Sequence, residues 1–278
     1  MVIDSHVHFW KFNKKRDAWI TADMKILQQD YYPVHLESTL RRNGVDGCVA
    51  VQASQEELET HFLVELSETH PSIKAVVGWV DLCSSTVGQR LEYFFQYPVI
   101  KGFRHIVQAE PDGFLLREDF KNGIRSLGSF GFTYDILIHP RQLKETIDFV
   151  DHFPEQAFVL DHCAKPDIAH HKLDEWRSLL MELARRPNVC CKLSGLFTEA
   201  KWKDWSPADF YPYLDVVFEA FGTDRLLFGS DWPVMLLSGI YVQWKSLLEK
   251  YMERFPEDEK QKVFGRNAEL FYKLNMLE

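Results

Sequence analysis

The chain has 278 residues, of which 46% are hydrophobic and 14% aromatic, enough to bury a large core and too apolar for a disordered segment. Its 32 Lys and Arg against 41 Asp and Glu leave a net charge of −9, which argues against nucleic acid or an anionic membrane as the main partner. Five cysteines, Cys190 and Cys191 adjacent and none in a Cys-x-x-Cys pair, do not read as a disulfide framework and suit a reducing cytoplasm, and no apolar run approaches the about 20 residues of a membrane span.

In chain order, short runs rich in β-branched and aromatic residues predict strands at 2–9, 45–52, 73–82, 99–107, 133–139, 157–163, 189–194 and 226–230. Between them, apolar residues at spacings of three and four predict helices at 33–43, 56–70, 142–149, 173–185 and 212–221, the last stopping before Gly222. Residues 244–255 and 256–274 read as terminal helices, and no repeat or Pro/Gly/Ser linker divides the chain. Eight alternations in this length predict an α/β fold, a (β/α)8 TIM barrel with C-terminal helices forming one domain over 1–278. A doubly wound open sheet is the competing fold. A barrel carries its chemistry at the carboxyl ends of its strands, and that is where the polar residues gather.

The first strand carries His6 and His8 two positions apart, so both imidazoles share a face and make half of a metal site. The fourth contains Lys101, Arg104 and His105, the fifth Asp135 and His139, the sixth Asp161, His162 and Lys165, the seventh Lys192 and Ser194, and the eighth ends at Asp231. On the fourth strand Lys101 and His105 are expected on one face and Arg104 on the other. Lys101 is therefore expected to serve turnover, and Arg104 partly to serve folding. Asp4 and Asp161 read as structural groups that orient a neighbour or bond a helix. His170 and His171 read as solvated loop residues. The tryptophans read mainly as packing, with one or two available to stack on a sugar-like ring.

Asp4-Ser-His-Val-His-Phe-Trp10, Gly78-Trp-Val-Asp-Leu82, Lys101-Gly-Phe-Arg-His105, Leu160-Asp-His-Cys-Ala-Lys-Pro166, Lys192-Leu-Ser-Gly195 and Phe228-Gly-Ser-Asp-Trp-Pro233 together resemble the amidohydrolase superfamily, in its branch of sugar-lactone and dicarboxylate lactonases. The resemblance spans nearly the whole chain. It implies a divalent metal, zinc and one per chain, on His6, His8 and Asp231. Two-metal members of the superfamily add a lysine or glutamate on the fourth strand and histidines on the fifth and sixth. Lys101, His139 and His162 stand at roughly those places, but this branch usually dispenses with the second metal, and some relatives work with none.

The implied reaction is hydrolysis of a lactone, with fucono-, rhamnono- and galactono-lactones as candidate substrates. Water must become a nucleophile near neutral pH, and the departing ring oxygen must receive a proton. Asp231 is expected to carry that proton, with Lys101 and His162 as further catalytic groups. Arg104, His105, His139 and Lys192 are expected to contact substrate. The shortage of clustered arginines favours a sugar lactone over a dicarboxylate. The alternatives are a dicarboxylate lactonase, a metal-dependent non-oxidative decarboxylase, and a catalytically silent binding barrel. The expected partners are a small-molecule substrate and, at most, a second copy of the chain.

Overall fold

The structure, a computed structural model, describes residues 1–274, so the last four positions of the expected 1–278 domain lie outside the described residues. Eight parallel strands pair in chain order: β1 (Ile3–Val7), β2 (Gly47–Val51), β3 (Ile73–Gly78), β4 (Ile100–His105), β5 (Thr133–Ile136), β6 (Phe158–Leu160), β7 (Val189–Leu193) and β8 (Leu226–Phe228). The sheet curls until its edges meet. Beyond β8, the Asp231 N–H donates to the His6 carbonyl at 2.9 Å and the His8 N–H to the Trp232 carbonyl at 2.7 Å. This makes a TIM barrel whose seam is stitched by the segments carrying the two histidines and the carboxylate.

Outside the barrel lie α1 (Pro33–Arg42), α2 (Glu57–Thr69), α3 (Val87–Phe95), α4 (Glu118–Ser129), α5 (Leu143–Asp151), α6 (Asp174–Leu183), the one-turn α7 (Leu196–Glu199), α8 (Pro207–Phe221), α9 (Tyr241–Tyr251), α10 (Glu257–Gln261) and α11 (Asn267–Phe271). Side chains alternate across each strand. Phe103, Tyr134 and Phe158 are in register and face the helices, whereas Arg104, Asp135 and Val159 are in register and face the barrel interior. The lower interior is apolar, filled by Ile3, Val49, Val51, Ala75, Val77, Val159 and Leu227. Tyr272, from the segment after α11, packs with them and closes the amino-terminal end. No helix among the described residues is long and apolar enough to cross a membrane. All five cysteines are free thiols.

The eight expected strands appear, each trimmed. Helices α3 and α4 are not among the predicted ones. In α4, Gly123 and Gly128 dilute the helical signal, yet Gly123 is required where it stands, because a Cβ there would lie 2.1 Å from the Leu82 carbonyl oxygen. Helix α8 starts five residues before the expected 212. Ser206 caps it, its N–H donating to Asp209 Oδ2 at 2.7 Å, and Pro207 is the first-turn proline, a place that Pro212 was expected to hold. The expected strand over 157–163 ends at Leu160. His162, Cys163, Ala164 and Lys165 then all take φ between 52° and 58°, a left-handed turn that non-glycine residues adopt at a cost of about 1–2 kcal/mol each.

Candidate active site

Above the apolar plug lies a layer of fully buried charge. Arg104 on β4 donates through Nη1 to Asp161 Oδ2 at 2.9 Å, and its Nη2 donates to the carbonyl and side-chain oxygens of Gln52. Lys192 on β7 pairs with Asp161 Oδ1 at 3.0 Å and with Asp135 Oδ2, which also accepts from the Tyr272 hydroxyl at 2.9 Å. Burial pushes Asp161 up, but the Lys192 ammonium, His6 and the Arg104 guanidinium outweigh it and hold this carboxyl well below the usual carboxylate range. Burial dominates at Asp135, which is held at about 6 despite Lys192. Two cations and two carboxylates thus pair with one another, although Arg104 Nε, Asp135 Oδ1 and Asp161 Oδ1 are buried without a hydrogen bond.

The next layer up holds His6, His8 and Asp231. His8 Nδ1 lies 2.7 Å from the Val51 carbonyl, which only accepts, so Nδ1 carries the proton and Nε2 a lone pair. Arg104 Nη1 lies 3.2 Å from His6 Nε2 and only donates, so that nitrogen is also a lone pair, while His6 Nδ1 faces Asp161 Oδ1 at 3.3 Å. The two lone pairs confront each other at 3.1 Å, and Asp231 Oδ1 stands 3.2 Å from His8 Nε2 and 3.8 Å from His6 Nε2. Three acceptors this close repel unless a proton or a cation sits among them. The spacing also suits ligands at about 2.0–2.1 Å around a tetrahedral ion, whose edges are about 3.3 Å. The residues therefore fit a divalent cation. Second-layer groups orient both rings, as ligand histidines require.

His162 completes the floor. Its Nδ1 lies 2.8 Å from Ser194 Oγ and its Nε2 3.9 Å from Asp231 Oδ1. Burial lowers its pKa to about 4 against the pull of Asp231, so the ring is neutral near pH 7. Burial pushes Asp231 up, but His162, His8 and Lys165 reverse this and leave it below its ordinary 3.8. Asp231 is an ionised base at neutral pH, held at φ 61°, where the left-handed backbone aims its side chain across the seam. Gly195 makes room for His162. At φ +68 it suits glycine, and a Cβ there would lie 2.4 Å from His162 Nδ1.

A cleft of about 290 Å³ opens above this floor, with Trp19, Gln55, Arg104, Gln108 and Lys165 in its walls. Of the residues expected from sequence, it brings together His6, His8, His162, Asp231 and Arg104. Lys101 is not there. It starts β4 on the outer face, half-buried beside Lys273 at the amino-terminal end, with burial lowering its pKa. His105 shares that outer face, where it pairs with Glu110 at 2.8 Å and stacks on Phe114. Lys192 is sealed beneath His6 in the charged layer. His139 lies beyond the end of β5, caps the turn at Pro140–Gln142 and lines an adjoining cavity. Asp161, expected to face away from the site, faces into it, in step with Val159 two positions earlier. That parity was the available signal, as it was for Asp135 and for Arg104, two places beyond the inward Gly102. Asp4 bonds a helix, accepting from the Tyr241 hydroxyl of α9 at 2.9 Å and from the Ser230 N–H at 2.9 Å. For Lys165, no periodicity announced the turn that delivers it.

A parallel barrel that gathers a His-x-His pair, a carboxylate from beyond β8 and a histidine from beyond β6 at its carboxyl end defines a class of barrel enzymes with a cation-binding site. The chain belongs to the Amidohydrolase family, whose sequence pattern matches residues 3–274. It is 38% identical to an L-fucono-1,5-lactonase of Burkholderia multivorans, over 98% of this chain and 96% of that protein. An L-fucono-1,5-lactonase of Burkholderia ambifaria is 34% identical over the same shares. Among solved structures, an amidohydrolase from Burkholderia multivorans with bound zinc is 38% identical, with a TM-score of 0.95 over 98% of this chain and 99% of that one.

Proposed function

We propose that this chain is a hydrolase that opens the lactone ring of a sugar acid, with L-fucono-1,5-lactone as first candidate and rhamnono- and galactono-lactones next. The observation that carries this reading is the ionised Asp231 beside His8 and His162 at the floor of a small cleft. The similarity to L-fucono-1,5-lactonases over nearly the whole chain supports the substrate class.

In this reading Asp231 takes a proton from the attacking water and passes it to the ring oxygen as the C–O bond breaks, serving as base and then as acid. Arg104, fixed by Asp161 and Gln52, offers a positive charge to the carbonyl oxygen without having to reorganise. His162, neutral and steadied by Ser194, orients the water or the leaving oxygen. Trp19, 42% exposed at the cleft wall, is the aromatic placed to stack on the sugar ring. A divalent cation, zinc first, would be held by His6, His8 and Asp231 and would make the water more acidic.

We take the chain as one domain over 1–278, acting in the cytoplasm on a small molecule, with a second copy as the only macromolecular partner the reading admits. The test is a panel of aldono-lactones with a pH indicator, since each opening releases one proton. Acid release from an aldono-1,5-lactone is expected. Carbon dioxide release from an aromatic acid, with no lactone opened, would overturn the reading. Elemental analysis should find about one divalent ion per chain.

A further inference from the structure

The left-handed turn after β6 delivers two side chains to the site. His162 goes to the floor, and Lys165, at φ 52°, goes to the wall. Lys165 also lines the adjoining cavity of about 700 Å³, where it faces His139, Arg141, Trp176 and Glu199. It is the residue common to the two cavities, and so stands at their junction. Among the described residues, neither the Lys165 ammonium nor the Glu199 carboxylate makes a hydrogen bond or an ion pair. Both are half-buried. Of the other cations of the site, Lys192 is by contrast sealed between Asp135 and Asp161, and Arg104 is held in place by Asp161 and Gln52. The charge of Lys165 is felt by its surroundings. It helps keep His162 neutral and Asp231 ionised, and it opposes the upward push of burial on Glu199.

We propose that Lys165 is a second substrate-facing cation of this enzyme, besides Arg104, and that the cavity behind it is a second subsite for the open-chain product, an aldonate. The proposal rests on the lactonase reading above. Water adds through oxygen to the carbonyl carbon, and the bond from that carbon to the ring oxygen breaks. One water proton reaches the ring oxygen through Asp231, and the new carboxylic acid loses the other to solvent. Lys165 keeps its protons throughout. Its ammonium, beside the fixed Arg104 guanidinium, first shares the negative charge on the carbonyl oxygen and then holds the carboxylate that replaces it. Opening the ring frees a polyol chain that can extend past Lys165 into the adjoining cavity. Glu199, an unpaired acceptor on the far wall, bonds its hydroxyls.

The experiment compares wild type with Lys165→Met, Lys165→Arg and Lys165→Asn, the last suited to a left-handed backbone if the Met variant does not fold. Turnover of the accepted lactone, inhibition by the corresponding aldonate and thermal melting are read for each. Lys165→Met should lower kcat by about 10²–10³-fold, as loss of a single oxyanion donor does. It should also weaken aldonate inhibition at least about tenfold, with Lys165→Arg recovering part of both and the melting temperature little changed. Glu199→Gln should weaken aldonate inhibition. Lys165→Met with wild-type kcat and unchanged aldonate inhibition would overturn the assignment while leaving the lactonase reading intact. Equal losses in the Met, Arg and Asn variants, with lowered melting, would assign Lys165 to the scaffold instead. Wild-type protein that opens no aldono-lactone would remove the reading and the proposal together.

Discussion

Arg104 and Lys101 stand three apart on β4 and end at opposite places, one in the barrel interior beneath the cleft and the other on the outer face at the far end. Arg104→Ala strips Asp161 and the Gln52 carbonyl of their donor, and breaking such a buried pair costs about 3–5 kcal/mol. Chemical denaturation should show that loss and kinetics a fall in turnover, whereas Lys101→Ala should change turnover by less than about twofold. A large loss in Lys101→Ala would mean that the amino-terminal end of the barrel takes part in the reaction. The alternation of a strand says that Lys101 and Arg104 differ in face. It does not say which face is inside, and the wrong choice there misplaced both. Glu59 offers a test by pH. Burial raises it from 4.5 to about 7, although the Ser54 and Ala53 N–H groups bond it and anchor the loop after β2. A carboxyl raised on folding adds stability below its unfolded pKa and loses it as pH climbs through the folded one. Wild type should therefore lose stability between pH 5 and 8, and the Glu59→Gln protein should lose less of it, by up to about 3 kcal/mol in urea titrations. Parallel curves would show that Glu59 is ionised at little cost.

At the scale of elements, the turn after β6 and the start of α7 form one device, since Gly195 leaves the space in which the His162 ring sits. Gly195→Ala puts a methyl against that ring and strains a positive φ. Turnover should fall about tenfold or more through a displaced His162, with a modest drop in melting temperature. Unchanged kinetics would mean that His162 does not act from this position. Helix α8 provides a purely structural counterpart. Asp209→Ala removes the carboxylate that accepts from the Ser206 N–H and hydroxyl at its start and should cost about 0.5–2 kcal/mol of stability with no effect on kcat. These two regions also mark where sequence patterns run out. Strands and amphipathic helices were legible because burial imposes a period of two or 3.6 on them. A run of four left-handed residues has no period, and a helix holding a proline near its middle imitates one that begins there.

Across the whole molecule, charge is arranged in depth. An apolar plug closed by Tyr272 lies under an ion-paired layer of Arg104, Lys192, Asp135 and Asp161, and above it come the histidines, Asp231 and an open cleft. In the middle layer Lys192 lies sealed beneath His6, away from the cleft, which is why its place near a strand end was a poor guide to its role. The seam brings the first and last strands together at the site. Main-chain bonds between Asp231 and His6, and between His8 and Trp232, hold Asp231 against the histidine pair across more than two hundred residues of chain. The central claim is that Asp231 carries the proton in lactone opening, and steady-state turnover of an accepted aldono-lactone by Asp231→Asn and wild type, beside their thermal melts, tests it most directly. The account predicts a fall of about 10²–10⁴-fold in kcat with melting preserved. Near-wild-type turnover by folded Asp231→Asn protein would contradict it.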